Sequence, residues 1–168
     1  DGGGSLELQP VPNKNKGDQH FMDDATIKAE EMAMDPDASL ANRLVYLTPP
    51  LEKDIRMSGT PEIQIRASID RKTANLTALL VKYGEGKPEI VTRGWMDPQN
   101  LHSKNRSSGL TPDREYTFTW DMQPDDYVFK KSDRMGVVVL SSDYNYTIRP
   151  GAGTKITIDP ERSHIMLP

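Results

Sequence analysis

Short segments of alternating apolar and polar residues constrain the fold of this chain more than any other feature. Residues 62–69 place isoleucine or alanine at every second position, and residues 116–121 do the same with Tyr116, Phe118 and Trp120. Because side chains alternate between the two faces of a β-strand, each segment is typical of a strand with one buried and one solvated face. Residues 155–159 and 165–167 follow the same rule. The pattern predicts sheets.

Two other segments predict strands that are buried on both faces. Residues 76–81 and 135–140 are nearly continuous apolar runs, too short to favour helices, and the second is rich in β-branched valine. Turn signals containing proline and glycine separate these strands from their neighbours. Further strands are predicted at residues 5–9, 43–47, 55–58, 90–95 and 144–148. The side chains expected to be buried are Ile63, Ile65, Ile69, Leu80, Phe118, Trp120, Val138 and Leu140.

A single helix is predicted near the start of the chain. Asp23 or Asp24 could cap a helix that runs to Met34, where Asp35-Pro36 ends it. About ten strands with one short helix predict an all-β fold, an antiparallel β-sandwich of the jelly-roll type. The length of 168 residues fits one domain. Residues 1–42 would hold a strand, a loop and the helix, and residues 43–168 would form the main region.

Composition argues against several classes of partner. The formal net charge is −4 and no basic stripe exists, which argues against nucleic acid because phosphate binding needs clustered Lys and Arg. No apolar run approaches the ~20 residues of a membrane span. The absence of cysteine excludes disulfides and thiolate sites, and it leaves the compartment open, cytoplasmic or secreted. Since the sequence begins without Met and stops abruptly, we expect a piece cut from a longer protein.

Residue types that carry catalysis are present, but not in a catalytic arrangement. No Gly-x-Ser-x-Gly elbow occurs, and none of the three histidines has the spacing of a zinc ligand, so all are expected on the surface. Adjacent carboxylates at 23–24 and 125–126 are typical of solvated turns and caps. Asp143 and its neighbours offer oxygens for calcium but lack the 12-residue loop pattern. We therefore predict no catalytic residue, no metal site and no cofactor in this chain.

The segment 92–100 is the strongest candidate for a functional surface. A predicted strand ends there in Arg93 and Trp95, and Asp97-Pro98 begins a turn. An arginine beside an exposed indole is a frequent anchor at protein interfaces. The alternative places Trp95 in the core and pairs Arg93 with a surface acid, and the residues alone leave both interpretations open. The candidate domain interface consists of Arg93, Trp95, Asp97, Gln99 and Asn100.

Six stretches form an ordered set along residues 43–168. They are 43–51 (RLVYLTPPL), 58–61 (SGTP), 91–100 (VTRGWMDPQN), 119–129 (TWDMQPDDYVF), 135–142 and 148–167 (IRPGAGTKITIDPERSHIML). As a set they resemble the C-terminal domain of the X-prolyl dipeptidyl aminopeptidase family, which includes cocaine-esterase-like and acylase-like hydrolases. No single motif is diagnostic, and the first forty residues match loosely. One departure is His164-Ile165-Met166, where the family often carries Ser-Val-Thr.

The resemblance implies a galactose-binding-like jelly roll and a longer, bacterial parent protein. In that parent, a Ser-Asp-His triad would lie upstream in an α/β-hydrolase domain and release Xaa-Pro dipeptides through an acyl-enzyme. None of the triad maps onto this sequence. The chain would therefore be a non-catalytic accessory domain that braces or covers the catalytic domain of the same chain and assists homo-oligomerisation or substrate access.

Two other classes of function remain open at this point. A carbohydrate-binding β-sandwich module would need exposed aromatic side chains near a loop end, and the candidates are Trp95, Tyr127, Tyr144 and Tyr146. An autonomous small esterase would need a nucleophile elbow, which the sequence lacks. Fold alone supports neither, because one fold hosts many functions.

Overall fold

The computed structural model describes residues 3–6, 17–148 and 153–168. In this part of the chain, helix α1 spans Ala29–Ala33 and a 3₁₀ turn spans Pro98–Asn100. The strands are β1 (Gly3–Ser5), β2 (Gln19–Met22), β3 (Leu44–Leu47), β4 (Ile55–Gly59), β5 (Glu62–Ile69), β6 (Leu76–Tyr83), β7 (Glu89–Met96), β8 (Glu115–Asp121), β9 (Asp125–Phe129), β10 (Arg134–Leu140) and β11 (Lys155–Met166).

Two sheets pack against each other. One has five strands in the order β1-β3-β10-β6-β7, and the other has four strands in the order β2-β11-β5-β8, while β4 and β9 form a separate pair. The described pairings are antiparallel except for β1 with β3, which is parallel. The predicted all-β antiparallel sandwich with one short helix is confirmed, and the galactose-binding-like label stays a prediction.

The main core lies between the two sheets. Its members come from the inward faces of both sheets, as the alternation in residues 62–69 and 116–121 predicts. The side chains predicted to be buried are all buried: Ile63, Ile65, Ile69, Leu80, Phe118, Trp120, Val138 and Leu140.

A second apolar cluster covers the outer face of the five-stranded sheet. Ala29, Met32 and Ala33 of α1 pack there against side chains of β3, β6 and β10. Because both faces of β6 and β10 are covered, these strands carry continuous apolar runs rather than alternation. The two segments predicted to be buried on both faces are thereby explained.

Helix α1 is shorter than predicted, and neither aspartate caps it. Its N-cap is Lys28, whose backbone is extended and whose side chain makes no capping bond. The carboxylate of Asp24 instead accepts from Thr26, and that of Asp23 accepts hydrogen bonds from the backbone N–H and the hydroxyl of Ser142. In the described part of the chain, no helix is long and apolar enough to cross a membrane.

The predicted strands differ from the structure at four places, and the first is β2 at Gln19–Met22, where no strand is predicted. Residues 144–148 are not a strand, because the backbone N–H groups of Tyr146 and Thr147 both donate to the carbonyl of Asp143 and close a turn. Residues 125–129, where no strand is predicted, form β9 beside β4. The strand expected at residues 5–9 corresponds to β1 at Gly3–Ser5, and residues 7–9 lie outside the described part.

Candidate functional site

The candidate segment lies on strand β7, which is an edge strand of the five-stranded sheet. Arg93 pairs directly with Leu79 and Trp95 with Thr77 on β6, so each side chain shares a face with its partner. Leu79 belongs to the apolar cluster beneath α1. Arg93 and Trp95 therefore project from the outer face of the sheet, beside the helix and not into the main core.

Arg93 bridges two carboxylates from distant parts of the chain. Its guanidinium lies 3.0 Å from Asp143 Oδ2 and 3.0 Å from Glu30 Oε1 of α1. Its side chain is 13% exposed and that of Asp143 is fully buried. Burial alone would lower the pKa of Arg93, but the hydrogen bonds and charges of Glu30 and Asp143 outweigh burial and raise that pKa. The ion pairs fasten the helix and residue 143 to the edge strand.

Trp95 is half-buried and engaged on two sides. Its indole Nε1 donates to Asp143 Oδ2 at 3.0 Å, and its ring stacks on Tyr146 with centroids 5.0 Å apart. The Arg93 guanidinium lies 4.8 Å from the centroid of the same Tyr146 ring. Such stacked and cation–π contacts add to the stability that burial supplies. Trp95 is thus half-buried and lies outside the main core, and Arg93 pairs with one partly exposed acid, Glu30, and one buried acid, Asp143. The role of this segment as a domain interface stays a prediction.

The other three candidates build the turn that follows β7. Asp97 accepts from the backbone N–H of Gln99 at 2.9 Å and caps the 3₁₀ turn. Asn100 accepts from the hydroxyl of Ser107 at 2.8 Å. All three side chains are half-buried. The structure therefore joins Arg93 and Trp95 through Asp143, while Asp97, Gln99 and Asn100 make their hydrogen bonds locally.

Three residues of this site are not predicted from the sequence to belong to it. Glu30, Asp143 and Tyr146 lie about 50 to 60 residues from their partners on β7 along the chain, so no spacing rule links them. The sequence indicates Asp143 only as a candidate calcium ligand. Its Oδ2 is taken by Arg93 and Trp95, and among the described residues no group of His, Cys, Asp and Glu is arranged to hold a metal ion.

The histidines and the aromatic residues considered for other functions are either exposed at the surface or in contact with other side chains of the protein. His20, His102 and His164 are exposed, as predicted. The Tyr127 hydroxyl donates to Glu89, and its ring packs edge-on against Phe129. Trp95 and Tyr146 stack on each other, so each ring has one face occupied within the protein. The carbohydrate-binding alternative finds no support in this arrangement.

Comparisons with known proteins give a consistent result. Residues 7–167 match the family described as the X-Pro dipeptidyl-peptidase C-terminal non-catalytic domain. The chain is 59% identical over 148 residues to a putative Xaa-Pro dipeptidyl-peptidase of Bacillus cereus, covering 88% of this chain and 25% of that protein. It is 42% identical over 134 residues to one of Rhodopirellula baltica, covering 76% of this chain and 21% of that protein.

Solved structures share the fold at low sequence identity. An α-amino acid ester hydrolase superposes with a TM-score of 0.80 at 18% identity, covering 98% of this chain and 34% of that one. An aminopeptidase from a marine-sediment Thaumarchaeota archaeon superposes with a TM-score of 0.75 at 16% identity, covering 94% and 34%. The chain spans about a quarter of the length of the curated relatives it matches. On these matches, the chain belongs to the family of X-Pro dipeptidyl-peptidase C-terminal non-catalytic domains.

Proposed function

We propose that this chain is the accessory domain of a serine hydrolase that releases Xaa-Pro dipeptides from the N-termini of peptides. The observation that carries the proposal is the family match over residues 7–167, together with relatives that are about four times as long and bear that name. The nucleophile, acid and histidine of the reaction would lie in an α/β-hydrolase domain upstream in the same polypeptide. This chain would brace that domain rather than take part in bond breaking.

The experiment compares the full-length protein with the 168-residue chain. The full-length protein should release p-nitroaniline from Gly-Pro-p-nitroanilide and much less from the matched Gly-Ala substrate, because the activity requires proline at the second position. The 168-residue chain should release none. Cleavage of an aryl ester with no cleavage of either anilide would assign the parent to esterases and overturn the dipeptidyl-peptidase proposal. Turnover by the 168-residue chain that one Ser or His substitution abolishes would overturn the accessory role.

The proposed docking site for the upstream domain is the end of the sandwich at which β7 finishes. Arg93, Trp95, Asp97, Gln99 and Asn100 all lie at or near that end. The engagement of Arg93 and Trp95 with Asp143 supports a role in holding this end rigid, since a surface organised before binding loses less conformational freedom on docking. Homo-oligomerisation of the parent stays a prediction.

A further inference from the structure

The loop that follows β10 is held by buried contacts while two of its large side chains face solvent. Ser141 donates its hydroxyl to the carbonyl of Asn75, and Ser142 is bonded twice to the buried carboxylate of Asp23. Asn75 Nδ2 donates to the carbonyl of Ile148 at 2.6 Å. The loop is therefore fixed to the sandwich near its start and at residue 148.

Tyr146 and Ile148 are the side chains that this fixed loop presents. Tyr146 is 60% exposed although its ring is stacked on Trp95 and lies beside Arg93, and Ile148 is 93% exposed. A tyrosine whose ring is held in place and whose surface stays exposed is typical of an interface hot spot, and the same loop also exposes an aliphatic side chain. The two buried hydrogen bonds from Ser142 to Asp23 and the bond from Asn75 to Ile148 fix the backbone of the loop, and both side chains stay accessible to solvent. The arrangement points to a partner surface.

The sheet topology indicates which partner that is. Gly3 of β1 and Val138 of β10 both pair with Val45 of β3, so they lie two strands apart, about 10 Å. Because β1 runs parallel to β3 and β10 runs antiparallel, the first residue of β1, Gly3, and the last residue of β10, Leu140, lie at the same end of the sheet. An upstream domain joined through β1 therefore meets the sandwich at the end where Tyr146 and Ile148 protrude.

We infer that Tyr146 and Ile148 form the docking surface for the upstream catalytic domain of the same polypeptide, with Asp143, Arg93 and Trp95 as the residues that position Tyr146. This inference rests on the proposed function, because it takes from it the existence of an upstream domain. It changes the earlier assignment in one respect: Trp95 supports the anchor, and Tyr146 is the anchor. The partner surface should be apolar, with an acceptor or donor for the tyrosine hydroxyl.

Photo-cross-linking in the full-length protein tests this inference. p-Benzoylphenylalanine placed at position 146 should cross-link to peptides upstream of this domain, identified by mass spectrometry. Placing it at position 148 repeats the test without disturbing the stack on Trp95. The matched control is position 166, because Met166 is 50% exposed and pairs with Glu62, the first residue of β5. The other end of β5 lies about 24 Å along the strand and leads to Asn75, which is bonded to Ile148. The yield at 146 and 148 should exceed that at 166 several-fold.

A mixture of isotope-labelled and unlabelled protein separates the two possible occupants. Cross-links to upstream peptides within one polypeptide support the inference. Cross-links between labelled and unlabelled copies would assign the surface to a second copy and overturn it, as would equal yields at 146 and 166 or no cross-link at 146 and 148. Gly-Pro-p-nitroanilide hydrolysis, measured on the same unmodified protein, reports separately on the proposed activity. A docked domain without activity would refute the proposed function and leave the docking surface standing.

The double variant Tyr146→Ala/Ile148→Ser provides a second measurement in the full-length protein. Loss of one hot-spot residue weakens an interface by about 30-fold. The two domains should therefore unfold in separate calorimetric transitions in this variant and in one transition in the Met166→Ser control. Coupled unfolding in both variants would contradict the assignment.

Discussion

Replacing Asp143 by alanine should destabilise the domain far more than removal of a surface carboxylate does. Asp143 is fully buried, and its Oδ2 accepts from both Arg93 and Trp95 at 3.0 Å. Alanine leaves the largely buried Arg93 with Glu30 alone, whose side chain is 46% exposed. Breaking a buried ion pair from one side costs about 3–5 kcal/mol, and the remaining pair with Glu30 places the expected cost near ~2–4 kcal/mol.

Urea unfolding and thermal melts measure this cost. At about 2–4 °C per kcal/mol for a domain of this size, the melting temperature should fall by roughly 4–16 °C. The matched control is Asp126→Ala, which removes an exposed carboxylate from its ion pair with Arg56 and should cost less than about 1 kcal/mol. An Asp143→Ala variant no less stable than the Asp126→Ala variant would refute the reasoning.

A double-mutant cycle identifies the cause of the loss. In an Arg93→Met background, Asp143 is a buried carboxylate without its cation, so its removal should cost little or even stabilise the chain. The coupling between the two positions should be about 1–3 kcal/mol. Additive costs would mean that Asp143 acts through packing rather than through the ion pair. Asp143→Asn, which retains an acceptor for Trp95 but not the charge, should fall between wild type and Asp143→Ala.

Three further predictions concern packing, a buried hydrogen bond and pH. Gly136→Ala should cost about 1–3 kcal/mol in urea unfolding, because an added methyl group would collide with the ring of Tyr83 on the neighbouring strand; an unchanged midpoint would contradict this. Tyr83→Phe should cost about 1 kcal/mol by the same measurement, since the buried hydroxyl donates to the carbonyl of Ala33 in α1 at 2.8 Å. Burial alone would raise the pKa of Glu30, but its hydrogen bonds and the charge of Arg93 lower it overall. A lowered folded-state pKa contributes stability above the unfolded value and loses it as pH falls through the folded value, so melts from pH 6 to 3 should show a shallower acid loss for Glu30→Gln than for wild type.

The sequence predicts best those strands that bury one face and expose the other, because apolar and polar residues then alternate along them. Strands β5 and β8 alternate because only their inner faces are buried, and their positions are correct within a residue. In β6 and β10 the alternation is lost because α1 covers the outer face of the sheet. The apolar runs still predict strands, but they do not indicate that α1 is the element that covers their outer face.

Tertiary contacts account for the parts that the sequence did not predict. Asp23 and Asp24 are residue types that commonly cap helices. The carboxylate of Asp23 instead accepts hydrogen bonds from Ser142, which lies more than a hundred residues away along the chain. Residues 144–148 have the aromatic and β-branched composition of a strand, but Asp143 closes them into a turn. Arg93 and Trp95 mark the candidate site in the sequence. Asp143, which accepts hydrogen bonds from both, can be assigned to the site only from the fold, because the fold brings the loop after β10 next to β7.

The position of β11 in the four-stranded sheet has a consequence for how this domain is made. β11 is the last strand in the described chain, yet it lies inside its sheet and separates β2 from β5. During synthesis, more than a hundred further residues are added after β2 before its partner strand, β11, leaves the ribosome. Until then the backbone N–H and C=O groups on one edge of β5 have no partner strand and can pair with a strand of another chain. The nascent chain should therefore depend on chaperones late in translation, and premature termination before Lys155 should yield aggregation rather than a smaller folded domain.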